Sequence, residues 1–330
     1  MKILVTGAAG YIGSLLINRL VSDDNNRVVG VDLLPKPAQT RTQKNLFWVT
    51  RDLAREGWES SALKNGRPDA VVHLAFKIRS PYGKEEQTKK ENIAASGNVF
   101  KFAFENKVPR LIYTSSVAAY GAKKENIGRL LKESEPLKEG ASPYGTQKRM
   151  VEELLRAMVI KFKPVTHTTI VRLNSVTGPV GQGVKSKFGL ITFLKKLLPF
   201  VVEAHPAWAR QFIHERDVEN ILLKTLRSPL RGGVVDTYNA APPEFLTAKD
   251  IARILKKKTV RIPKMSVRPA FWLAWHATRG IIPTHPDSAN GLIYPINVDG
   301  SKIRETGFRY QFGPDDALLG KSEPTNTTLA

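Results

Sequence analysis

A glycine-rich loop near the N-terminus constrains the fold of this 330-residue chain more than any other feature. The loop joins an apolar segment, Lys2–Thr6, to an amphipathic segment, Tyr11–Leu20. Gly7 permits a tight turn, Gly10 lets the backbone approach a pyrophosphate, and Gly13 lets the following helix lie close to the sheet. Free N–H groups and the dipole at the helix N-terminus favour bound negative charge. This order of strand, glycine loop and helix indicates a dinucleotide-binding fold.

An acidic residue at the end of the second predicted strand, Arg27–Asp32, supports the same interpretation. A carboxylate at Asp32 can accept hydrogen bonds from both ribose hydroxyls and repels a 2′-phosphate, which favours NAD over NADP. The basic residues Lys36, Arg41 and Arg51 stand nearby and keep NADP open as the less favoured cofactor.

Short apolar segments alternate with amphipathic ones along the first half of the chain, as in a parallel sheet covered on both faces. The further predicted strands are Leu46–Thr50, Ala70–Leu74, Leu111–Ser115, Thr168–Arg172 and Val234–Asn239. The further predicted helices are Glu86–Asn106, Tyr144–Ile160, Lys187–Leu198, Asp217–Ser228, a helix opened by a capping box at Thr247–Asp250 and ending at Lys257, and Pro269–Gly280.

The predicted fold class is α/β, a Rossmann-type doubly wound parallel sheet with a smaller C-terminal substrate-binding cap. We expect residues 1–172 and 211–241 to form the NAD-binding domain, residues 173–210 and 242–312 to form the cap, and residues 313–330 to form a partly disordered tail.

The composition excludes several kinds of chemistry. The chain has no cysteine, so disulfides, thiolate metal sites and a cysteine nucleophile are excluded. The six histidines lack paired spacing, and we expect no metal site. The first residues do not form a signal peptide, and no apolar run reaches the length of a membrane span, so a cytoplasmic location is expected.

A Tyr-x-x-x-Lys pair supplies candidate proton-handling groups. Tyr144 and Lys148 are four residues apart, which places both side chains on one face of a helix. A lysine ammonium, together with a cationic oxidised nicotinamide, would stabilise a phenolate and lower the tyrosine pKa. Ser115 and Ser116 follow a buried strand and reach the carboxyl edge of the sheet, where ligands bind in open α/β folds. The set is typical of hydride-transfer enzymes that use a tyrosine as acid and base.

With these motifs the chain resembles the extended short-chain dehydrogenase/reductases, also called the NAD-dependent epimerase/dehydratase family, over nearly its whole length. The resemblance extends to five further segments: Arg51-Asp52-Leu53, His73-Leu74-Ala75, the helix from Asn92 through Gly97 and Asn98, Val171–Leu173 with Gly178-Pro179, and Arg210–His214 with Asp217-Val218.

The resemblance implies a role for each matching residue. It makes Ser116 the catalytic hydroxyl, Tyr144 the acid and base, and Lys148 the residue that binds ribose and tunes the tyrosine. The implied cofactor-binding residues are Gly7, Gly10, Tyr11, Ile12, Gly13, Asp32, Asp52, Leu53, Leu74, Ala75, Asn92, Ser115, Tyr144 and Lys148. The implied substrate-binding residues are Ser116, Asn174, Ser175 and Arg210. His73 and Ser115 are expected to be structural, with Ser115 also beside the cofactor, and the family usually forms homodimers.

Three functions remain open at this stage. Val117 and Ala118 follow the catalytic serine where dehydratases of the family carry carboxylates, which argues against a 4,6-dehydratase. We favour an NAD-dependent epimerase or reductase that acts on a hydroxyl or keto carbon of an anionic nucleotide sugar, with Arg210 binding the diphosphate. The alternatives are an NAD(P)-dependent dehydrogenase of a less polar substrate, as in hydroxysteroid dehydrogenase-like relatives, and a non-catalytic NAD- or RNA-binding module.

An aromatic segment and the net charge bear on possible partners. Residues 269–276, Pro-Ala-Phe-Trp-Leu-Ala-Trp-His, are expected to cover the substrate pocket; contact with a membrane surface or with an apolar substrate is less favoured. The formal net charge is +21, which attracts polyanions. The basic residues are scattered and no aromatic-interleaved RNA motif is present, so a nucleic-acid partner is not expected.

Overall fold

The computed structural model describes residues 1–64, 66–138, 142–180 and 198–325. A parallel sheet forms its centre. The strands of this sheet are β1 (Lys2–Thr6), β2 (Arg27–Asp32), β3 (Leu46–Thr50), β4 (Ala70–His73), β5 (Arg110–Ser116), β6 (His167–Leu173) and β11 (Val235–Ala240). Their order across the seven-stranded sheet is β11-β6-β5-β4-β1-β2-β3, and every neighbouring pair is parallel. The predicted fold class is confirmed.

Helices cover both faces of the sheet. The helices are α1 (Tyr11–Leu20), α2 (Trp58–Leu63), α3 (Glu85–Glu105), α4 (Pro143–Phe162), α5 (Glu215–Arg227), α6 (Ala248–Ile254), α7 (Lys264–Ala277), α8 (Asn290–Ile293), α9 (Ser301–Glu305) and α10 (Pro314–Leu319). Helices α1 and α5 pack together on one face, and α3 and α4 pack together on the other. Each face therefore buries its own apolar core, which explains why the central strands are continuous apolar runs rather than alternating ones.

The C-terminal part builds a separate, smaller core from short elements. Its remaining strands are β7 (Ser175–Thr177), β8 (Phe200–Glu203), β9 (Ala209–Arg210), β10 (Phe212–His214), β12 (Leu246–Thr247) and β13 (Lys258–Arg261). They form three two-stranded sheets, β7 with β10, β9 with β12, and β8 with β13. The first of these pairs crosses the predicted boundary between sheet domain and cap. The predicted capping box is present, because Thr247 and Asp250 exchange hydrogen bonds at the start of α6.

Two sequence predictions in this part need correction. Helix α7 begins at Lys264, not at Pro269, so the proline lies inside the helix. A proline there removes one backbone hydrogen bond, and the residue whose carbonyl loses its donor, Met265, is 83% exposed and can be solvated. The predicted tail does not start at residue 313, because Ala317 and Leu318 of α10 are buried in the cap core.

The predicted helix Lys187–Leu198 lies outside the described residues apart from its last position. Among the described residues, no helix has both the length and the apolarity required to cross a bilayer.

Candidate active site

The glycine loop forms a tight cradle at the N-terminus of α1. Gly7 has a positive φ of 69°, and a Cβ at Gly13 would lie 2.0 Å from the Gly7 carbonyl oxygen. Gly10 occupies the N-cap of α1, where no side chain caps the helix, and the first turn carries no acidic residue. The loop therefore leaves backbone donors and the positive end of the helix dipole available for an anion.

A cavity of about 250 Å³ opens beside this cradle, at the ends of β2 and β3. It contains most of the predicted cofactor residues at one end of the cleft. They are Gly7, Gly10, Asp32, Asp52, Leu53, Leu74, Ala75 and Asn92. The two carboxylate oxygens of Asp32 accept hydrogen bonds from the backbone N–H groups of Ala9 and Leu34, at 2.9 and 3.0 Å. These bonds fix the carboxylate at the cavity wall while leaving each oxygen a further lone pair for a hydroxyl group.

Asn92 has a different role from the other members of this group. Its Oδ1 accepts from the backbone N–H of Lys77, and its Nδ2 donates to the Lys77 carbonyl and to Gln147 Oε1, at 3.0 and 2.7 Å. Both amide hydrogens are thus used inside the protein. Asn92 therefore holds the loop after β4 against helix α4.

Strand β5 and helix α4 bring the three predicted catalytic residues together. Ser116 ends β5, and its hydroxyl donates to the Leu173 carbonyl at 3.3 Å and forms a hydrogen bond with Tyr144. Helix α4 starts at Pro143 behind an N-cap serine, Ser142, so Tyr144 lies in its first turn. Because the helix begins at Pro143, Tyr144 lies beside Ser116, and Lys148 lies about one turn further along the helix on the same face.

Lys148 is 3% exposed and enclosed by aromatic rings. Its Nζ lies 3.7 Å from the centroid of the Phe76 ring and donates to the Thr114 carbonyl at 2.7 Å. The ammonium lies 5.9 Å from the centroid of the Tyr144 ring. The sequence did not identify Phe76, since an aromatic residue two positions after a strand carries no recognisable signal.

Burial dominates the protonation of this pair. It raises the pKa of Tyr144 to about 12, against the smaller lowering effect of the hydrogen bond with Ser116. It also lowers the pKa of Lys148 to about 7, although Glu152 one turn away favours the charged form. The lysine alone therefore does not produce the predicted lowering of the tyrosine pKa, and a further positive charge in the cleft is required for a phenolate to form near neutral pH.

A second cavity of about 550 Å³ lies on the other side of these residues. The predicted substrate residues Asn174, Ser175 and Arg210 line it together with Ser116. Asn174 is engaged within the protein, because it accepts from the Ser175 N–H and donates to Gln211 at 3.1 Å. Arg210, at the end of β9, is the group of this set that can bind an anion, and burial lowers its pKa.

Apolar residues of the cap complete the second cavity. Trp208, Tyr294 and Ile296 line it, and none of them was predicted. Trp208 donates its indole N–H to the Gly291 carbonyl at 2.9 Å, which joins two distant segments of the cap at the cavity wall. The prediction that residues 269–276 cover the substrate pocket is wrong, because none of these residues lines either cavity.

The remaining sequence predictions are placed as follows. His73 is fully buried between Thr6 and Ser96, with hydrogen bonds of 2.7 and 3.0 Å, and burial lowers its pKa to about 3. It is structural, as expected. Ser115 is buried at the wall of the larger cavity. Tyr11 and Ile12 also line that cavity, and the Tyr11 hydroxyl donates to Glu215.

Fold and site together define a dinucleotide-dependent enzyme class, since a glycine cradle and a Ser–Tyr–Lys set share one cleft at the carboxyl edge of a parallel sheet. The model of the NAD-dependent epimerase/dehydratase family matches residues 3–241. The chain belongs to this family, whose cofactor is NAD.

Similar proteins include several enzymes of nucleotide sugars. A UDP-glucose 4-epimerase of Streptococcus mutans is 30% identical over 277 residues, which cover 78% of this chain and 82% of that protein. The structure of a UDP-glucuronic acid 4-epimerase from Bacillus cereus, in complex with UDP-glucuronic acid and NAD, has a TM-score of 0.75, 21% identity, and coverage of 97% and 98%. The structure of MoeE5 with UDP-glucuronic acid and NAD has a TM-score of 0.73, 20% identity, and coverage of 97% of each chain.

Proposed function

We propose that this protein is an NAD-dependent epimerase that inverts a hydroxyl-bearing carbon of a nucleotide sugar, with Tyr144 as the acid and base. One observation carries the proposal. The two cavities share Gly7, Gly10, Leu74 and Phe76 as lining residues, so they form one cleft, and the Ser116–Tyr144–Lys148 set lies in its wall.

The cleft suits a dinucleotide at its cradle end. The α1 N-terminus would hold the pyrophosphate, Asp32 would hold the adenosine ribose, and Leu53 and Ala75 would border the adenine region. The tightness of the cradle supports this assignment, since a Cβ at Gly7 would lie 2.6 Å from the Ala75 backbone nitrogen. NAD, when bound, supplies the acceptor and donor of a hydride.

Tyr144 is placed to move the proton that accompanies the hydride. As a substrate hydroxyl becomes a carbonyl, its proton passes to the Tyr144 oxygen, and it returns when the hydroxyl forms again on the inverted carbon. Ser116 can hydrogen-bond the same substrate oxygen. Lys148 in its charged form stabilises the phenolate, and its pKa of about 7 keeps that form populated at neutral pH.

The lining of the larger cavity favours epimerisation over dehydration. Among the described residues that line it, none is an aspartate or glutamate, so the acid and base needed for loss of water are missing there. Arg210 adds a fork-shaped cation that suits a diphosphate. The relationship to the Streptococcus mutans UDP-glucose 4-epimerase supports a UDP-hexose as the first substrate to test.

The test is a coupled assay of UDP-galactose conversion to UDP-glucose, read at 340 nm through UDP-glucose dehydrogenase. We expect turnover in the wild type and a loss of about a hundredfold or more in Tyr144→Phe, the range of a general acid or base. Tyr238→Phe, outside both cavities, is the matched control. Absence of turnover with UDP-glucose, UDP-galactose and UDP-glucuronate, despite NAD binding, would refute nucleotide-sugar epimerisation.

A second candidate is a dehydrogenase of a less polar hydroxyl compound. It is favoured by one observation, the apolar cap wall made by Trp208, Val176 and Ile296. The two candidates differ in their need for Arg210. Arg210→Leu should weaken UDP binding by about tenfold to a hundredfold if a diphosphate lies there, whereas Arg309→Leu on the exposed surface should leave UDP binding unchanged.

A further inference from the structure

The outer side of helix α7 exposes large apolar side chains. Met265 is 83% exposed, Leu273 is 62% exposed and Trp272 is 53% exposed. The spacing of these three residues places them on one stripe of the helix. Val267 and Trp275, on the inner side, are 1% and 7% exposed and attach the helix to the cap. The stripe therefore faces outward because the helix packs through its other side.

Neighbouring loops extend this apolar surface. Tyr82 lies against the helix, with its ring 5.8 Å from that of Trp275, and its hydroxyl hydrogen-bonds to His276 at 2.8 Å. Ile281, in the turn after the helix, is 66% exposed. We call Tyr82, Met265, Trp272, Leu273 and Ile281 the outer face of α7.

The chain segment that contains helix α7 is rich in positive charge. Residues 251–286 contain eight lysines and arginines and no aspartate or glutamate. Three of these cations are paired with carboxylates of neighbouring segments, namely Arg253 with Asp250, Arg261 with Glu203, and Arg268 with Asp287. The other five are Lys256, Lys257, Lys258, Lys264 and Arg279, of which Lys257 donates a hydrogen bond to the Leu198 carbonyl. The segment therefore keeps an excess of positive charge, with Lys264 at the start of α7 and Arg279 just after its end.

We propose that the outer face of α7 docks on the surface of a membrane that contains anionic lipids. Tryptophan, leucine and methionine on one side of a helix, bordered by lysine and arginine, are the features of a helix that lies in the lipid headgroup region. A second copy of this chain is a poorer occupant, because it would bring the same positive charge into contact. A nucleic acid would leave the apolar side chains uncovered.

The proposed docking also orients the catalytic cleft. Ile78 lines the larger cavity and is 65% exposed, and it stands in the same loop as Tyr82. A membrane that covers Tyr82 therefore lies next to an edge of the cleft. The proposal concerns where the enzyme works and does not depend on the identity of its substrate.

Vesicle co-sedimentation of the full chain tests the proposal. We expect binding to vesicles of phosphatidylcholine mixed with phosphatidylglycerol, and little binding to phosphatidylcholine alone. The double variant Trp272→Ala/Leu273→Ser should reduce the partition coefficient by about tenfold or more, from the loss of buried apolar side chains. The control Leu230→Ser removes an exposed leucine that lies outside α7 in sequence. This variant should bind vesicles like the wild type.

The charge contribution is measured separately. Lys264→Glu/Arg279→Glu should weaken vesicle binding by more than about fivefold per position, and added salt should weaken the wild type in the same direction. Lys90→Glu/Lys161→Glu, at exposed positions of α3 and α4, is the matched control. Thermal melting and turnover of a soluble substrate should stay unchanged in all variants, since none alters a residue of the cleft.

Three results would overturn the proposal. The first is no binding to either vesicle type. The second is an equal loss of binding in the outer-face variants and their controls, which would indicate adsorption through net charge alone. The third is a wild-type dimer in light scattering that Trp272→Ala/Leu273→Ser converts to monomer while vesicle binding is unchanged, because the face would then serve self-association.

Discussion

Replacing Lys148 with methionine should make the protein more stable at neutral pH while it removes catalysis. The lysine is 3% exposed, and burial lowers its pKa from 10.5 to about 7. The unfolded chain keeps this proton up to its ordinary pKa. Between these two values the unfolded state binds more protons than the folded state, so the free energy of unfolding rises with pH across that window. Below the pKa of Lys148 in the folded protein, the buried side chain is charged, and the full free-energy cost of burying that charge remains.

The size of the effect follows from the pKa shift. The cost of keeping Lys148 in the folded protein is about 4 kcal/mol at about pH 7 and about 1 kcal/mol at about pH 9.5. Methionine removes this cost and keeps an unbranched side chain. It also loses the hydrogen bond to the Thr114 carbonyl, which is worth about 1 kcal/mol. We therefore expect a net gain of about 3 kcal/mol at about pH 7 and almost no net change at about pH 9.5.

Urea unfolding of the wild type and Lys148→Met at both pH values measures these differences. Lys161→Met, an exposed position of the same helix, is the control and should show no pH-dependent gain. The decisive quantity is the difference in the effect of Lys148→Met between the two pH values. If Lys148→Met is less stable than the wild type by the same amount at both pH values, the lysine keeps its ordinary pKa, and the argument from its burial is wrong.

Three further predictions concern groups around the cleft. Glu152→Ala removes the carboxylate that pairs with Arg172, whose side chain is only 2% exposed. The variant should lower the free energy of unfolding by about 3–5 kcal/mol in urea titrations. A loss below about 1 kcal/mol would contradict a buried ion pair. Asp32→Ala should weaken NAD binding by about tenfold and reduce the preference over NADP in calorimetric titrations, whereas an unchanged preference would remove Asp32 from the ribose site. Gly13→Ala places a Cβ 2.0 Å from the Gly7 carbonyl oxygen, and should lower both the melting temperature and NAD affinity, so wild-type values for both would exclude the proposed cradle.

The sheet domain could be predicted from the sequence in detail. Strands β1, β2 and β3 and helix α1 have the predicted bounds, because each is an apolar or amphipathic run that ends in glycine or polar residues. The Tyr144–Lys148 spacing gave the correct helix face, since four residues make about one turn. These features depend on neighbours in sequence, which is why sequence patterns reveal them.

The cap and the protonation of the site could not be predicted in the same way. Trp208 and Tyr294 meet at one cavity although they lie far apart in the chain, and no local pattern links them. The predicted start of α7 at Pro269 is wrong, because proline favours the first position of a helix but here lies inside one that begins at Lys264. Burial lowers the pKa of Lys148, and residues distant in sequence, such as Phe76, enclose this lysine only in the folded chain. Homodimerisation and a cytoplasmic location stay predictions.

The division of the cleft between two parts of the chain has an evolutionary consequence. Ser116, Tyr144 and Lys148 stand on β5 and α4 of the central sheet layer, while Trp208, Arg210 and residues 291–296 approach from the cap. In the part of the chain that the structure describes, helix α4 packs mainly against α3, β5 and residues 117–120, and not against elements of the cap. Substitutions in the cap can therefore change which molecule fits the cleft while the Ser116–Tyr144–Lys148 set stays in place.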